Sequence, residues 1–149
     1  MPVARQSRFH GIRWVETRAP IRPRDRMIPI RLVDSITELQ PADAGCIALS
    51  GSHGGVSSAR YALAVRPLLS VFNDAGVGKD QAGIAGLAML QAQGLAGCTV
   101  SHTSARIGQA ASTLDDGVVS HANAAALALG IEPGRPLKAQ IHPLQRRHP

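Results

Sequence analysis

Cys46-Ile47-Ala48-Leu49-Ser50-Gly51-Ser52-His53-Gly54-Gly55 is an apolar run that ends in small and polar residues. Cys46 to Leu49 has the length and composition of a buried strand, and the residues after it form a tight polar turn. Val56 to Val65 then carries Val56, Ala59, Ala62 and Leu63 at helical spacing, which predicts a helix laid against the strand. Two later segments repeat this grammar. Leu68 to Phe72 reads as a strand with the exit loop Asn73-Asp74-Ala75-Gly76-Val77-Gly78-Lys79-Asp80. Asp80 is placed as N-cap of a helix over Gln81 to Gln93, stopped by Gly94. Gly97 to Val100 reads as a third strand, leaving through Ser101 to Gly108.

Strands alternating with helices at roughly 25-residue intervals predict βαβ units and a parallel sheet. The expected fold is α/β: a small three-layer α/β/α sandwich with a mostly parallel sheet of four to five strands. Parallel strands gather their carboxyl ends along one edge, where such sheets bind ligands.

Outside this core the reading is coarser. Ile28 to Val33 alternates well enough for a first strand, and Pro29 suits an edge position. Asp34 to Leu39 reads as a short helical turn and Pro41 to Gly45 as a loop. Val118 to Leu129 reads as an Ala-rich helix closed by Gly130, with Pro133 beyond. Residues 1–26 are expected to be a basic arm, disordered or contacting a partner, residues 27–137 a single domain, and residues 138–149 a polar basic tail. Met27 opens the domain-like sequence.

The formal charge of the 149 residues is +6, and its location matters more than its size. Residues 1–26 hold seven arginines against Glu16 and Asp25. Residues 138–149 add Lys138, Arg146 and Arg147 with no acid. Met27 to Leu137 has six basic and eight acidic residues. The basic charge therefore sits on the flanks, and the domain lacks the basic face and interleaved aromatics expected of a nucleic-acid binder. No apolar run approaches the ~20 residues of a membrane span, and a cytoplasmic protein is expected. The Ala-rich helices on a short sheet lead to an expected homo-oligomer. Cys46 and Cys98 fall inside predicted strands, where free cysteine acts as a small core residue.

Three histidines of the central region each follow a serine: Ser52-His53, Ser101-His102 and Ser120-His121. The first two lie at predicted strand exits. Ser50 to Gly55 fits a relaxed nucleophile-elbow pattern, in which small neighbours let a sharp turn lift the Ser52 hydroxyl clear of the sheet. The same turn equally suits anion binding, with Gly51, Gly54 and Gly55 bringing backbone N–H groups to a phosphate or carboxylate. Gly78-Lys79 stands in a loop without the first glycine or the Ser/Thr of a Walker motif. Arg106 offers a planar fork for an anionic group in a loop of small residues, with a surface salt bridge to Asp115 or Asp116 as the competing role.

These residues assemble into an expected enzyme acting on a small anionic metabolite by hydrolysis or acid–base chemistry. Ser52 is the candidate nucleophile, His53 or His102 the base and Asp74 its orienting carboxylate. Ser50, Gly51, Gly54, Gly55, Asn73, Lys79, Ser104 and Arg106 are the candidate substrate-binding residues. A non-catalytic module holding a nucleotide or phosphometabolite with the same loops is the alternative, and a structural subunit docking through its basic arms a third. The cofactor is open: no nucleotide-cofactor motif is present, and a divalent-metal site on His53, His102, His121 and Asp74 lacks any ligand-spacing motif.

Overall fold

The structure, a computed structural model, describes residues 26–147 together with the backbone of two short strands nearer the N-terminus. Those strands, β1 (Ala4–Ser7) and β2 (Trp14–Thr17), form an antiparallel hairpin, where the sequence suggested only an irregular arm. The rest of that arm and the last two residues lie outside the described residues.

The domain is built on a five-stranded sheet: β3 (Ile30–Val33), β4 (Ile47–His53), β5 (Leu69–Asn73), β6 (Ala96–Val100) and β7 (Val119–Ala122), side by side in chain order. The first four strands are parallel and β7 closes the sheet antiparallel to β6. All five residues of β5 and of β6 are buried, as expected for central strands covered on both faces. The mostly parallel α/β sandwich read from the sequence is therefore the fold.

Five helices cover the sheet: α1 (Val56–Val65), α2 (Gly86–Ala92), α3 (Ala110–Asp116), α4 (Ala124–Ala128) and α5 (Leu137–Gln145). The apolar residues separate into two cores. Ala59 and Ala62 of α1 and Leu87 and Leu90 of α2 pack with Ala48 and Phe72 on one face. Ala126 of α4 and Leu137, Ile141 and Leu144 of α5 pack with Leu49, Val71, Cys98 and Val100 on the other. Strand alternation sends neighbouring side chains to opposite faces, so each buried strand feeds both cores.

Small residues set the spacing of the first layer. A Cβ on Gly86 would lie 2.5 Å from the Gly55 carbonyl oxygen and 2.8 Å from the Ala59 Cβ, so α2 approaches the start of α1 only because position 86 has no side chain. The α2 helix is shorter than the predicted Gln81–Gln93, starting only at Gly86. Asp80 is not its N-cap but a left-handed residue (φ 54°) within a single 3₁₀ turn, Lys79–Gln81.

Two further expectations are corrected. The predicted helix over Val118–Leu129 is a strand followed by a helix, because β6 needs a partner on its outer side: Val119, His121 and Ala122 pair with Val100, Thr99 and Cys98. Asn123 then caps α4 by accepting the Ala126 N–H at 2.9 Å. The segment read as a polar tail after Pro136 is α5, whose Leu137, Ile141 and Leu144 are almost wholly buried. Its apolar residues at i, i+4 and i+7 are separated by Lys138, Gln140, His142 and the helix-breaking Pro143, which masked the stripe.

Candidate functional site

The loops that leave β5 and β6 go to opposite faces of the sheet. The chain after β5 crosses to the face carrying α2, whereas the chain after β6 reaches α3, which packs against β4 and α5. Adjacent parallel strands whose connections diverge this way open a crevice beyond their carboxyl ends. A cleft of about 500 Å³ lies there, lined by Asn73 and Ala75 after β5, His102 to Ile107 after β6, and Ser112 and Asp116 of α3.

Asp74 and His102 join the two loops. Asp74 Oδ1 accepts the His102 backbone N–H at 3.0 Å and lies 3.1 Å from the ring Nδ1. It also accepts the Gly76 N–H at 2.9 Å. Burial pushes the Asp74 carboxyl up, but hydrogen bonds from the Gly76 N–H and from the backbone and ring of His102 outweigh it and hold the group below its usual value. An ionised Asp74 accepts a hydrogen bond from Nδ1–H of the imidazole, which leaves Nε2 as the unprotonated nitrogen of the neutral ring. The carboxylate is 6% exposed and the imidazole 55%, so a shielded acid orients a ring that solutes reach.

The loop that presents Asp74 is held in an uncommon conformation. Ala75, Gly76, Val77 and Gly78 all have positive φ, and the value for Val77 is 66°. A β-branched residue there is strained, and such strain persists where surrounding contacts over-determine it. Here Asn73 Oδ1 accepts the Ala75 N–H, the Asp74 carbonyl accepts the Val77 N–H, and the Val77 carbonyl accepts the Gly83 N–H. Asn73, fully buried, also donates from Nδ2 to the Ala105 carbonyl at 3.1 Å. It therefore ties the two cleft loops together, and its amide is not available to a ligand.

On the β6 side, Arg106 lies on the cleft with an exposed side chain. Neither acid expected to pair with it does so among the described residues: Asp115 meets Lys138 at 3.2 Å, and Asp116 accepts the Ser112 hydroxyl at 2.9 Å. Ser112 Oγ in turn accepts the Arg106 backbone N–H at 2.9 Å. Ser104 lines the cleft, but its hydroxyl donates to the Ser101 carbonyl and accepts from the Val118 N–H, both at 2.9 Å. It braces the loop.

The first loop is arranged differently from the sequence reading. Strand β4 runs on through His53, so Ser50, Gly51 and Ser52 are strand residues and the turn is confined to Gly54-Gly55. The β4–β5 register shifts between Leu49 and His53, and the fully buried Ser50 fills the gap by donating to the Val71 carbonyl at 2.7 Å. Gly51 packs directly on the Gly108–Gln109 backbone, and its N–H donates to the Asp34 carbonyl. Ser52 Oγ accepts the Ile36 N–H at 2.9 Å, and the elbow that would lift it toward a base does not form. The Gly54 N–H donates to the Asn73 carbonyl, and the Gly55 N–H to His53 Nδ1 at 3.0 Å. All three glycine amides proposed as anion donors are thus engaged within the protein.

His53 and Lys79 are exposed but do not line the cleft. His121 lies within 3.4 Å of the Thr99 and Ser120 hydroxyls, and His53 turns to its own helix start. The four residues of the metal reading do not converge, and among the described residues no group of three or more His, Cys, Asp or Glu is placed to hold a metal ion. Sequence reasoning missed Ser112 and Asp116. Their i, i+4 spacing would have put them on one helix face, had α3 been recognised.

No protein-family model matches the chain, and no curated protein or solved structure is similar enough to count as a match. Among the described residues, no helix is long and apolar enough to cross a membrane.

Proposed function

We propose that this chain is a small-molecule enzyme working by general acid–base chemistry, with His102 as base and a metabolite bearing an anionic group as substrate. The observation that carries the reading is the Asp74–His102 pair at the mouth of the cleft, its ring anchored through Nδ1 and half-exposed. An imidazole so held can accept a proton from a substrate carbon or from an attacking water. Arg106 supplies the fork for a carboxylate or phosphate. Asp74 is a positioning residue: it acts through His102 and lies outside the cleft lining.

Two features separate this reading from the nucleophile-elbow and phosphate-loop alternatives. The Ser52 hydroxyl is turned to the Ile36 N–H, away from any base. The glycine amides that would cradle a phosphate are already hydrogen-bonded. Hydrolysis, if this is the reaction, runs by direct attack of an activated water.

The test is consumption of compounds from a mixture of anionic metabolites, followed by mass spectrometry, with wild type and His102→Ala side by side. The wild type is expected to deplete one compound and form its product, and the variant to do so at least ~100-fold more slowly with an unchanged fold. Equal turnover by the variant overturns the reading. Stabilisation by a compound that is never consumed makes the chain a binding module instead.

A further inference from the structure

The cleft carries two opposite formal charges that do not neutralise each other. Arg106 and Asp116 both line it, and both are exposed. A single hydroxyl joins the Arg106 backbone to the acid: Ser112 Oγ accepts the Arg106 backbone N–H and donates to Asp116 Oδ2, each at 2.9 Å. Despite that linkage the guanidinium and the carboxylate form no ion pair among the described residues. Ser112 itself is buried, so the Asp116 carboxylate and the backbone of Arg106 are both tied to a fixed hydroxyl of α3. Asp115, the neighbouring acid, is drawn away by Lys138. A second, adjacent depression is lined again by Arg106, Ser112 and Asp116, so open space lies on both sides of the pair.

A ligand with only an anionic group answers Arg106 and leaves Asp116 facing it with like charge. A ligand with a cationic amine and an anionic group answers both. The apolar part of the remaining cleft wall is formed by Ala75, Ala105 and Ile107, of which Ile107 is 55% exposed. Unpaired apolar surface at a cleft rim is matched by an apolar side chain on the ligand.

Resting on the acid–base reading above, we infer that the substrate is a zwitterion of the amino-acid class, its carboxylate held by Arg106 and its ammonium by Asp116. A short apolar side chain lies against Ile107. His102 then stands where it takes a proton from the bound molecule or from a water beside it.

The full-length protein is titrated calorimetrically with the standard amino acids, and each binder is compared with the 2-hydroxy acid of the same skeleton. The wild type is expected to bind at least one amino acid about tenfold or more tightly than its 2-hydroxy counterpart, the size of one charge-assisted hydrogen bond. Asp116→Asn keeps an acceptor for the Ser112 hydroxyl. It is expected to erase that discrimination without weakening the 2-hydroxy acid, whereas Asp116→Glu retains part of it. Arg106→Ala weakens both ligands.

Equal affinity for the two ligands in the wild type, or discrimination that survives in Asp116→Asn, overturns the zwitterion assignment. If the 2-hydroxy acid still binds through Arg106 in that case, the anionic-substrate reading stands. Binding of neither ligand class overturns the zwitterion assignment directly. The depletion experiment with His102→Ala then decides the acid–base reading separately.

Discussion

Asp74 Oδ1 receives both the backbone N–H and the ring Nδ1 of His102, at 3.0 and 3.1 Å. One carboxylate oxygen thereby fixes the position of a loop and the orientation of its imidazole together. Asp74→Asn removes the charge that secures the Nδ1 proton while preserving size. Turnover is expected to fall about 100-fold or more, with a smaller change in KM than in kcat, as measured by steady-state kinetics on the identified substrate.

The same carboxyl makes acid stability a readout. Its folded-state pKa lies below the ordinary value, because the surrounding N–H donors overcome the opposing effect of burial. A depressed carboxyl contributes stability that is fully present above its unfolded pKa and is lost as pH falls through the folded one. The stability difference between wild type and Asp74→Asn is therefore expected to be constant near neutrality and to shrink below pH ~4. Denaturant titrations at a series of pH values measure it, and a difference that grows on acidification contradicts the assignment.

Ser52→Ala separates the two accounts of the first loop. Its hydroxyl receives the Ile36 N–H, at the start of the 3₁₀ turn Ile36–Glu38. Loss of that acceptor is expected to cost about 1 kcal/mol of stability, while turnover remains within about twofold of wild type. Abolished turnover in a folded Ser52→Ala protein restores the nucleophile reading.

Helix α5 is expected to behave as core and not as a tail. Ile141 is 1% exposed and packs with Leu49, Val71 and Leu137 in one cluster. Ile141→Ala is expected to cost about 2–5 kcal/mol, a large share of the ~5–15 kcal/mol that holds a domain folded. Urea denaturation measures it. A loss below 0.5 kcal/mol, the level of ordinary surface positions, contradicts the packing.

Both thiols are expected to be silent in the native protein. Burial pushes Cys98 up to about 12 and, with the Asp43 charge adding to it, Cys46 up to about 11. Thiolate is the reactive form, so a thiol reagent at neutral pH is expected to modify neither until denaturant is added, when both react.

The local grammar was legible in the chain itself. Apolar runs of strand length at Cys46–Leu49, Leu68–Phe72 and Gly97–Val100 reappear as β4, β5 and β6, because central strands buried on both faces leave an unbroken apolar signature. The helix over Val56–Val65 was read to the residue, since its period faces one layer. Legibility failed where a segment's state depends on its neighbours. The Ala-rich stretch after Val118 has high helical propensity, yet β6 recruits its first residues as a strand, and tertiary pairing overrides propensity.

The candidate site divides along the same line. The sequence singled out Asp74, His102 and Arg106 as candidates by residue type and by their place in predicted strand exits, and the structure brings Asp74 against His102, which lines one cleft with Arg106. Which groups remain free was decided only by the folded contacts: Ser50, Ser52, Asn73 and Ser104 are polar and close to that edge, but each is held by a backbone partner. Buried polar atoms must find partners as the chain compacts. That requirement is met by residues distant in the chain, such as Val71 for Ser50 and Ala105 for Asn73, so no local reading of either loop determines which hydroxyls and amides are left to meet a substrate.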